Sequence, residues 1–292
     1  MHLSIVIPAY NEEASLGEVL DALHTAMLAY VAGTRFEYEI IVVDDGSKDR
    51  TYEVATKKSA RVIRHDRNRG YGMALKSGIA KAKYDWIAIT DADGTYPPDT
   101  LPQLLRQAST NGFEYEMVVG SRTGQEVHIP LLRQPAKWFL RRLAEYLTGS
   151  KIPDLNSGLR VFKKSLVERF SPVLPEGFSF TTTITIAAIT NGYQVKYMPV
   201  NYYKRQGKSS IRPLHDTLGF LSLIIRLVVY FKPLNIFLPL SLMFIVIGLS
   251  KALLDFLHQN YFGVGSAIAI LTGLQIGLLG LLADLILRRT RL

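Results

Sequence analysis

Short apolar runs rich in β-branched residues recur along the first 120 positions, at residues 3–7, 38–43, 61–63, 86–90 and 117–119. Each run is followed by turn residues and then by a helical pattern. That rhythm predicts βαβ units around a mainly parallel sheet, a fold class in which ligands meet the carboxyl ends of the strands. Polar motifs fall at three of those ends: Pro8-Ala9-Tyr10-Asn11-Glu12, Asp44-Asp45-Gly46-Ser47 and Asp91-Ala92-Asp93. From about residue 130 to 212 the pattern changes to α+β, with a basic helical stretch at 136–147, a strand at 159–162, a helix at 183–190 and a strand at 194–199. These residues read as the acceptor half of one domain, 1–212.

Beyond residue 213 the chain is patterned for a different solvent. Residues 218–231 are apolar with Arg226 as the only charge, which suits an interfacial helix within a juxtamembrane segment 213–232. Residues 233–250 give 18 uncharged positions, about 27 Å of helix, and residues 262–283 give 22. The pattern predicts a two-helix transmembrane hairpin within 233–292, with Lys251 and Asp255 paired four residues apart near the far interface. Arg226 and Lys232 precede the first span, Arg288, Arg289 and Arg291 follow the second, and residues 256–261 carry neither Lys nor Arg. Both termini and the preceding domain are therefore expected on the cytoplasmic face. Gly273, Gly277 and Gly280 would permit close helix packing, including packing against a second copy.

Charge refines this division. The chain carries 34 Lys and Arg against 25 Asp and Glu, and 28 of the basic and 22 of the acidic residues lie in 1–212. No module interleaves Lys and Arg with aromatics as a nucleic-acid surface would, so anionic lipid and phosphate are the expected partners. Cysteine is absent, which excludes disulfides and thiolate chemistry. Pro8 interrupts the first apolar run early, so no secretory leader is expected.

Asp91 and Asp93, one residue apart at a strand end, can share a divalent cation that also holds a departing diphosphate. The same spacing serves an N-cap and a solvated carboxylate equally well. Asp44 and Asp45 present a similar choice between binding a base or ribose and capping a turn. Gly70, within Arg69-Gly70-Tyr71-Gly72 at the start of a helix, can bring backbone N–H groups to phosphate or simply turn the chain. The joint occurrence of these motifs at successive strand ends favours a binding site.

Together with Gly120-Ser121-Arg122 and Asn156-Ser157-Gly158-Leu159-Arg160, the motifs resemble those of the GT-A family 2 inverting glycosyltransferases. Within that family the chain is similar to the dolichyl-phosphate mannose synthase and polyprenyl-phosphate glycosyltransferase branch. The resemblance implies a GT-A Rossmann-like domain that transfers a hexose from a GDP- or UDP-linked sugar to a polyprenyl phosphate, with Mg²⁺ or Mn²⁺. By position it implies that Pro8, Tyr10, Glu12, Asp44, Asp45, Gly70 and Ala92 contact the nucleotide sugar, and that Asp91 and Asp93 hold metal and diphosphate. Arg122 and Arg205 would grip phosphate, and Arg122, Arg133 and Ser157 would meet the acceptor phosphate. Related synthases often carry Gln where this chain has Thr95, which speaks against Thr95 as a metal ligand. An acceptor that is already an anion needs no strong general base, so His65 and His128 are expected to be surface or packing residues. Two other readings share the donor motifs. A processive polysaccharide synthase would carry Gln-Xaa-Xaa-Arg-Trp, where Gln134 to Trp138 has Lys for Arg, and a non-catalytic nucleotide-sugar-binding scaffold would need no intact Asp91 and Asp93.

Overall fold

The computed structural model describes residues 2–108, 115–126, 134–177, 179–204, 222, 224–259, 261 and 263–290. The first strand, β1 (Leu3–Ala9), is buried along its whole length, as a central strand covered on both faces must be. It pairs in parallel with β2 (Tyr38–Asp44) on one side and β4 (Trp86–Ile89) on the other, and β3 (Arg61–Arg64) extends the sheet beyond β2. On the other flank β6 (Arg160–Lys163) is antiparallel to both β4 and β5 (Met117–Ser121), and β7 (Val195–Pro199) lies parallel to β5. The order β3-β2-β1-β4-β6-β5-β7 makes the sheet mainly parallel, as the sequence pattern predicts, with β6 reversed. Chain order leaves β1 toward β2 on one side and returns to β4 on the other. The crevice for a ligand therefore opens above the ends of β1 and β4.

Helices cover both faces. In α1 (Leu16–Val31) the buried residues Leu16, Leu20, Leu23 and Met27 recur at helical spacing. With α4 (Thr100–Ala108) they pack on Leu3, Ile5 and Ile7 of β1. The opposite face meets α3 (Tyr71–Lys81), α6 (Lys164–Phe170) and α7 (Phe180–Thr190), while α2 (Thr51–Thr56) sits beside β3 and α5 (Gln134–Thr148) beside α7. Burial of each large aliphatic side chain in these layers contributes roughly 1.5–3 kcal/mol. α7 is buried on nearly every side although five of its eleven residues are Thr. The hydroxyls of Thr183, Thr185 and Thr190 return to carbonyls one turn back, which keeps those polar groups satisfied inside the core.

The segment after residue 213 departs from its expected boundary. Residues 224–231 form a helix, α8, whose Ile224, Leu227, Val228 and Phe231 are buried in the same core as α6 and α7. Phe231 stacks edge-on against Phe170 at 6.0 Å. This apolar stripe at i, i+3, i+4 and i+7 thus belongs to the core of the sheet domain, and Ile225, Arg226 and Tyr230 are left outside. Residues 213–221 lie outside the described residues.

Two long helices follow, α9 (Leu234–Gln259) and α10 (Val264–Thr290), each long and apolar enough to cross a membrane. Lys251 Nζ is 3.0 Å from Asp255 Oδ1, the expected pairing. The small residues face the neighbouring helix of the same chain. Ser241 Oγ donates to Gly273 O at 2.7 Å, and Cβ atoms at Gly273 and Gly280 would strike Ile245 and Phe237 respectively. The glycines expected to permit close helix packing thus pack within the hairpin of this chain. The outward faces are Leu-rich.

A Cβ at Gly277 would lie 3.6 Å from the Ser241 Cβ, within the separation that a disulfide bridges. The chain has no cysteine of its own, so the double variant Ser241→Cys, Gly277→Cys is expected to oxidise within one chain. Non-reducing electrophoresis should show a monomer with a blocked thiol pair. A disulfide-linked dimer would instead place these positions between copies.

Candidate active site

The carboxyl ends of β2, β1 and β4 stand side by side, and the turns that leave them are joined to one another. Asn11 adopts a left-handed conformation, φ 55°, which a short polar residue tolerates. It thereby accepts from Lys48 N at 2.9 Å through Oδ1 and donates its own N–H to Ser47 Oγ at 3.0 Å. Glu12 N donates to Thr51 Oγ1 at 2.8 Å, and Ser15 Oγ donates to Ala92 O at 2.9 Å. The three motifs form one rim. Pro8 sits within β1 opposite Val43, Tyr10 is 37 % exposed on the rim, and Ala92 is buried beneath it.

Each acidic residue has its own donors. Asp44 is fully buried; its Oδ1 accepts from Ser47 N at 3.0 Å. Its Oδ2 lies 3.3 Å from Arg64 Nε, in ion-pair range but without hydrogen-bond geometry. Asp45 accepts from His65 Nδ1 at 2.7 Å, Arg69 N at 2.9 Å and Gly70 N at 2.8 Å. Gly70 stands at φ 98°, where only glycine is unstrained. His65 also bonds Ser77 Oγ at 2.9 Å through Nε2, so this histidine is a buried tie between β3 and α3, a packing role in keeping with its expected absence from the chemistry. His128 lies outside the described residues. A concavity lined by Gly46, Ser47, Arg64, His65 and Asp66 opens beside this turn.

Asp93 is nearly buried, and its Oδ1 accepts from Thr95 N at 3.2 Å and Thr95 Oγ1 at 2.7 Å. Thr95 is therefore a tether for Asp93. Asp91 is half-buried, and Tyr71 OH donates to its Oδ1 at 3.2 Å. Burial and the neighbouring Asp91 carboxylate push the Tyr71 phenol well above its ordinary pKa, so it remains a proton donor. Two carboxylates on one short turn are hard oxygen donors suited to Mg²⁺ or Mn²⁺. No third His, Cys or carboxylate joins them in a ready-made cluster among the described residues. The donor set thus fits a cation completed by substrate oxygens and water.

Arg122 and Ser157 are both held by groups of the protein itself. Arg122 N, Nε and Nη2 donate to Asp154 at 3.0, 2.7 and 2.8 Å, and the guanidinium lies 5.2 Å from the Tyr202 ring centre. Its fork is filled by Asp154, a residue that sequence reasoning did not single out. Ser157 is fully buried, with Oγ donating to Gly120 O at 2.5 Å, and is a strut at odds with an acceptor-phosphate contact. Arg133 and Arg205 lie outside the described residues. Tyr203, two positions before Arg205, donates its N–H to Thr95 O at 2.9 Å.

A family model for glycosyl transferase family 2 matches residues 4–170, more than half of the chain. The chain belongs to glycosyl transferase family 2. A second model, the GtrB C-terminal hairpin, matches residues 232–288. This glycosyltransferase is 30% identical over 213 residues to a dolichyl-phosphate hexose transferase of Haloferax volcanii, covering 72% of this chain and 87% of the relative. It is 33% identical over 192 residues to an undecaprenyl-phosphate 4-deoxy-4-formamido-L-arabinose transferase of Pseudomonas aeruginosa, covering 61% of this chain and 54%, about half, of that relative. Glucosyl-3-phosphoglycerate synthase from Mycobacterium tuberculosis, solved with uridine-diphosphate, shares the fold at TM-score 0.60 and 20% identity, covering 78% of this chain and 80% of that one. The same synthase has been solved with Mn²⁺ and with Mg²⁺.

Burial alone would raise the Asp154 carboxyl, but the Arg122 guanidinium overrides it and holds the carboxyl below its ordinary value. The pair therefore stabilises the fold above the ordinary carboxylate range, and that contribution fades as pH falls below about 4. Asp154→Asn leaves a buried cation without its counter-charge, and should cost about 3–5 kcal/mol at pH 7. Urea unfolding at pH 7 and at about pH 2, below the ordinary carboxylate range, should show this difference narrowing toward the acid side. An equal loss at both values would remove the charge from the account.

Proposed function

We propose that this glycosyltransferase moves a hexose from a nucleotide sugar to a polyprenyl phosphate at the cytoplasmic face of a membrane, with Mg²⁺ or Mn²⁺ and with inversion. The observation that carries the reading is that one chain joins an acidic rim at the β1–β4 crevice to a membrane-competent hairpin. Lys232, immediately before α9, donates from Nζ to Thr148 O at the end of α5, at 3.2 Å. The domain is thus coupled to the point where the chain would enter the bilayer. The activities of the two relatives, transfer to dolichyl and undecaprenyl phosphate, support the same acceptor class.

In this reading Asp91 and Asp93 hold the divalent cation. The cation, when bound, stabilises the charge growing on the leaving diphosphate. Tyr10, Glu12, Asp44, Asp45 and Gly70 bound the nucleotide side, with Pro8 and Ala92 shaping the crevice. The lipid phosphate is an anion at neutral pH, so it attacks the anomeric carbon directly without a strong base. The work of the site is positioning and electrostatic stabilisation. Arg133 and Arg205 supply the phosphate contacts, since Arg122 is committed to Asp154.

Asp93→Asn preserves volume and removes the charge that balances the cation. It should lower transfer from nucleotide sugar to polyprenyl phosphate at least a hundredfold while the thermal unfolding midpoint stays near that of the parent. Assays with GDP-mannose, UDP-glucose and UDP-N-acetylglucosamine identify the donor by lipid-linked product. Full turnover by a folded Asp93→Asn protein, or in the presence of chelator, would falsify the metal assignment.

The orientation follows from the basic residues flanking the hairpin. Reporter fusions at Met1 and Leu292 should both read cytoplasmic, and a tag at Gln259 should be accessible from outside. An external reading at either terminus overturns the topology.

A further inference from the structure

Asp91 is held from two sides by groups that lie outside the Asp motifs. On one side stands Tyr71, whose hydroxyl donates to Oδ1 at 3.2 Å. On the other stands Gly158, where a Cβ would lie 2.5 Å from both Asp91 oxygens. A hydrogen-bond donor fixes the carboxylate's rotation, and an α-carbon without a side chain fixes its depth. We propose that Tyr71 and Gly158 form a clamp that presets the Asp91 carboxylate for the divalent cation, with Tyr71 as a positioning residue. The inference rests on the metal reading given above.

The backbone behind each jaw is fixed independently. Tyr71 opens α3 immediately after Gly70, whose N–H donates to Asp45 Oδ2. The next turn is tied to the far loop, with Met73 N donating to Glu176 O at 2.8 Å. A Cβ at Gly70 would lie 2.8 Å from that same Glu176 O, so the start of α3 is wedged between Asp45 and the 176–177 backbone. A tyrosine anchored this way cannot follow its carboxylate if the carboxylate rotates.

The second jaw is pinned from below. Gly158 N donates to Tyr96 OH at 2.8 Å, and Tyr96 OH also bonds Ser157 Oγ at 3.1 Å. The Arg160 guanidinium, fully buried, donates to Ser157 O through Nε at 3.2 Å and Nη2 at 2.5 Å. Its Nη1 donates to Thr181 O at 3.1 Å and Thr185 Oγ1 at 2.8 Å, which ties the segment to α7. Asn156 Oδ1 accepts from Thr182 Oγ1 at 2.8 Å. Both jaws are therefore rigid before any ligand arrives, and the carboxylate between them reaches the cation without reorganising.

A clamp of this kind acts on cation capture rather than on folding. Tyr71→Phe keeps the ring and removes one O–H, and loss of a hydrogen bond to a charged group weakens the state it supports by about tenfold. The full-length protein in detergent should need about tenfold more Mn²⁺ for half-saturation by electron paramagnetic resonance titration, and a similarly raised Mn²⁺ concentration for half-maximal sugar transfer. Turnover at saturating Mn²⁺ should return toward that of the parent, which a general loss of the fold would not allow. Gly158→Ala acts on the opposite jaw and should raise the Mn²⁺ requirement further by displacing the carboxylate. Asp93→Asn separates the two ideas. If Asp93→Asn leaves Mn²⁺ binding intact, the metal reading fails and the clamp with it. If Asp93→Asn abolishes binding while Tyr71→Phe and Gly158→Ala both stay within twofold of the parent, the clamp alone is overturned.

Discussion

Like charges gathered at one edge of a sheet are the constraint that organises this molecule. Two carboxylates 6 Å apart at an effective dielectric of 20 repel by about 3 kcal/mol. One hydrogen bond to a charged group returns only about 1.5–3 kcal/mol. A rim carrying Asp44, Asp45, Asp91 and Asp93 therefore needs several donors, and they are drawn from many elements. Asp45 takes three, from the residue after β3, from the following loop and from the residue before α3. Asp93 takes two from Thr95, and Asp91 takes one from the first residue of α3. Much of the loop structure above the sheet consists of the means of supplying these donors.

Because the donors come from neighbouring turns, satisfying the charges also fixes the turns to each other. Asn11 is bonded to the Ser47-Lys48 turn in both directions, and Ser15 reaches Ala92. No single strand end can shift without breaking a contact to the next. That rigidity is what a site requires when its catalysis depends on positioning and not on a strong base.

The parts of this arrangement that sequence reveals are those with a period or a contiguous motif. The strands of the βαβ units, the Asp motifs at their ends and the two long apolar helices all have local signatures. The antiparallel β6 was visible as a strand, but its reversal is set by pairing with β4 and β5, which no local pattern records. Asp154 was missed because its role depends on Arg122, 32 positions away. Tyr71 lay inside a motif valued for its glycines, and its hydroxyl meets a carboxylate 20 positions on. The hairpin glycines were recognised correctly as close-packing residues. Their neighbour here is the other helix of the same chain, which composition alone does not distinguish from a helix of another. Residues 224–231 illustrate a further ambiguity: an apolar stripe at helical spacing serves a bilayer surface and a domain core equally well, and here the core takes it.

Arg122 and Arg160 flank the same 156–158 segment and resolve their burial in opposite ways. Arg122 meets a carboxylate in bidentate geometry, and the pair is neutral. Arg160 bonds two carbonyls and a hydroxyl, with no carboxylate among these partners, and keeps its positive charge inside the sheet. Burial lowers its pKa, yet an arginine begins so far above neutrality that the cation persists. An aliphatic residue would fill this position of β6 at less desolvation cost. It would also leave the Ser157 and Thr181 carbonyls short of donors. Arginine is favoured here because its fork ties the 157–158 segment to α7 through groups that an aliphatic side chain could not satisfy, while the nearby Asp154 carboxylate supports its charged form.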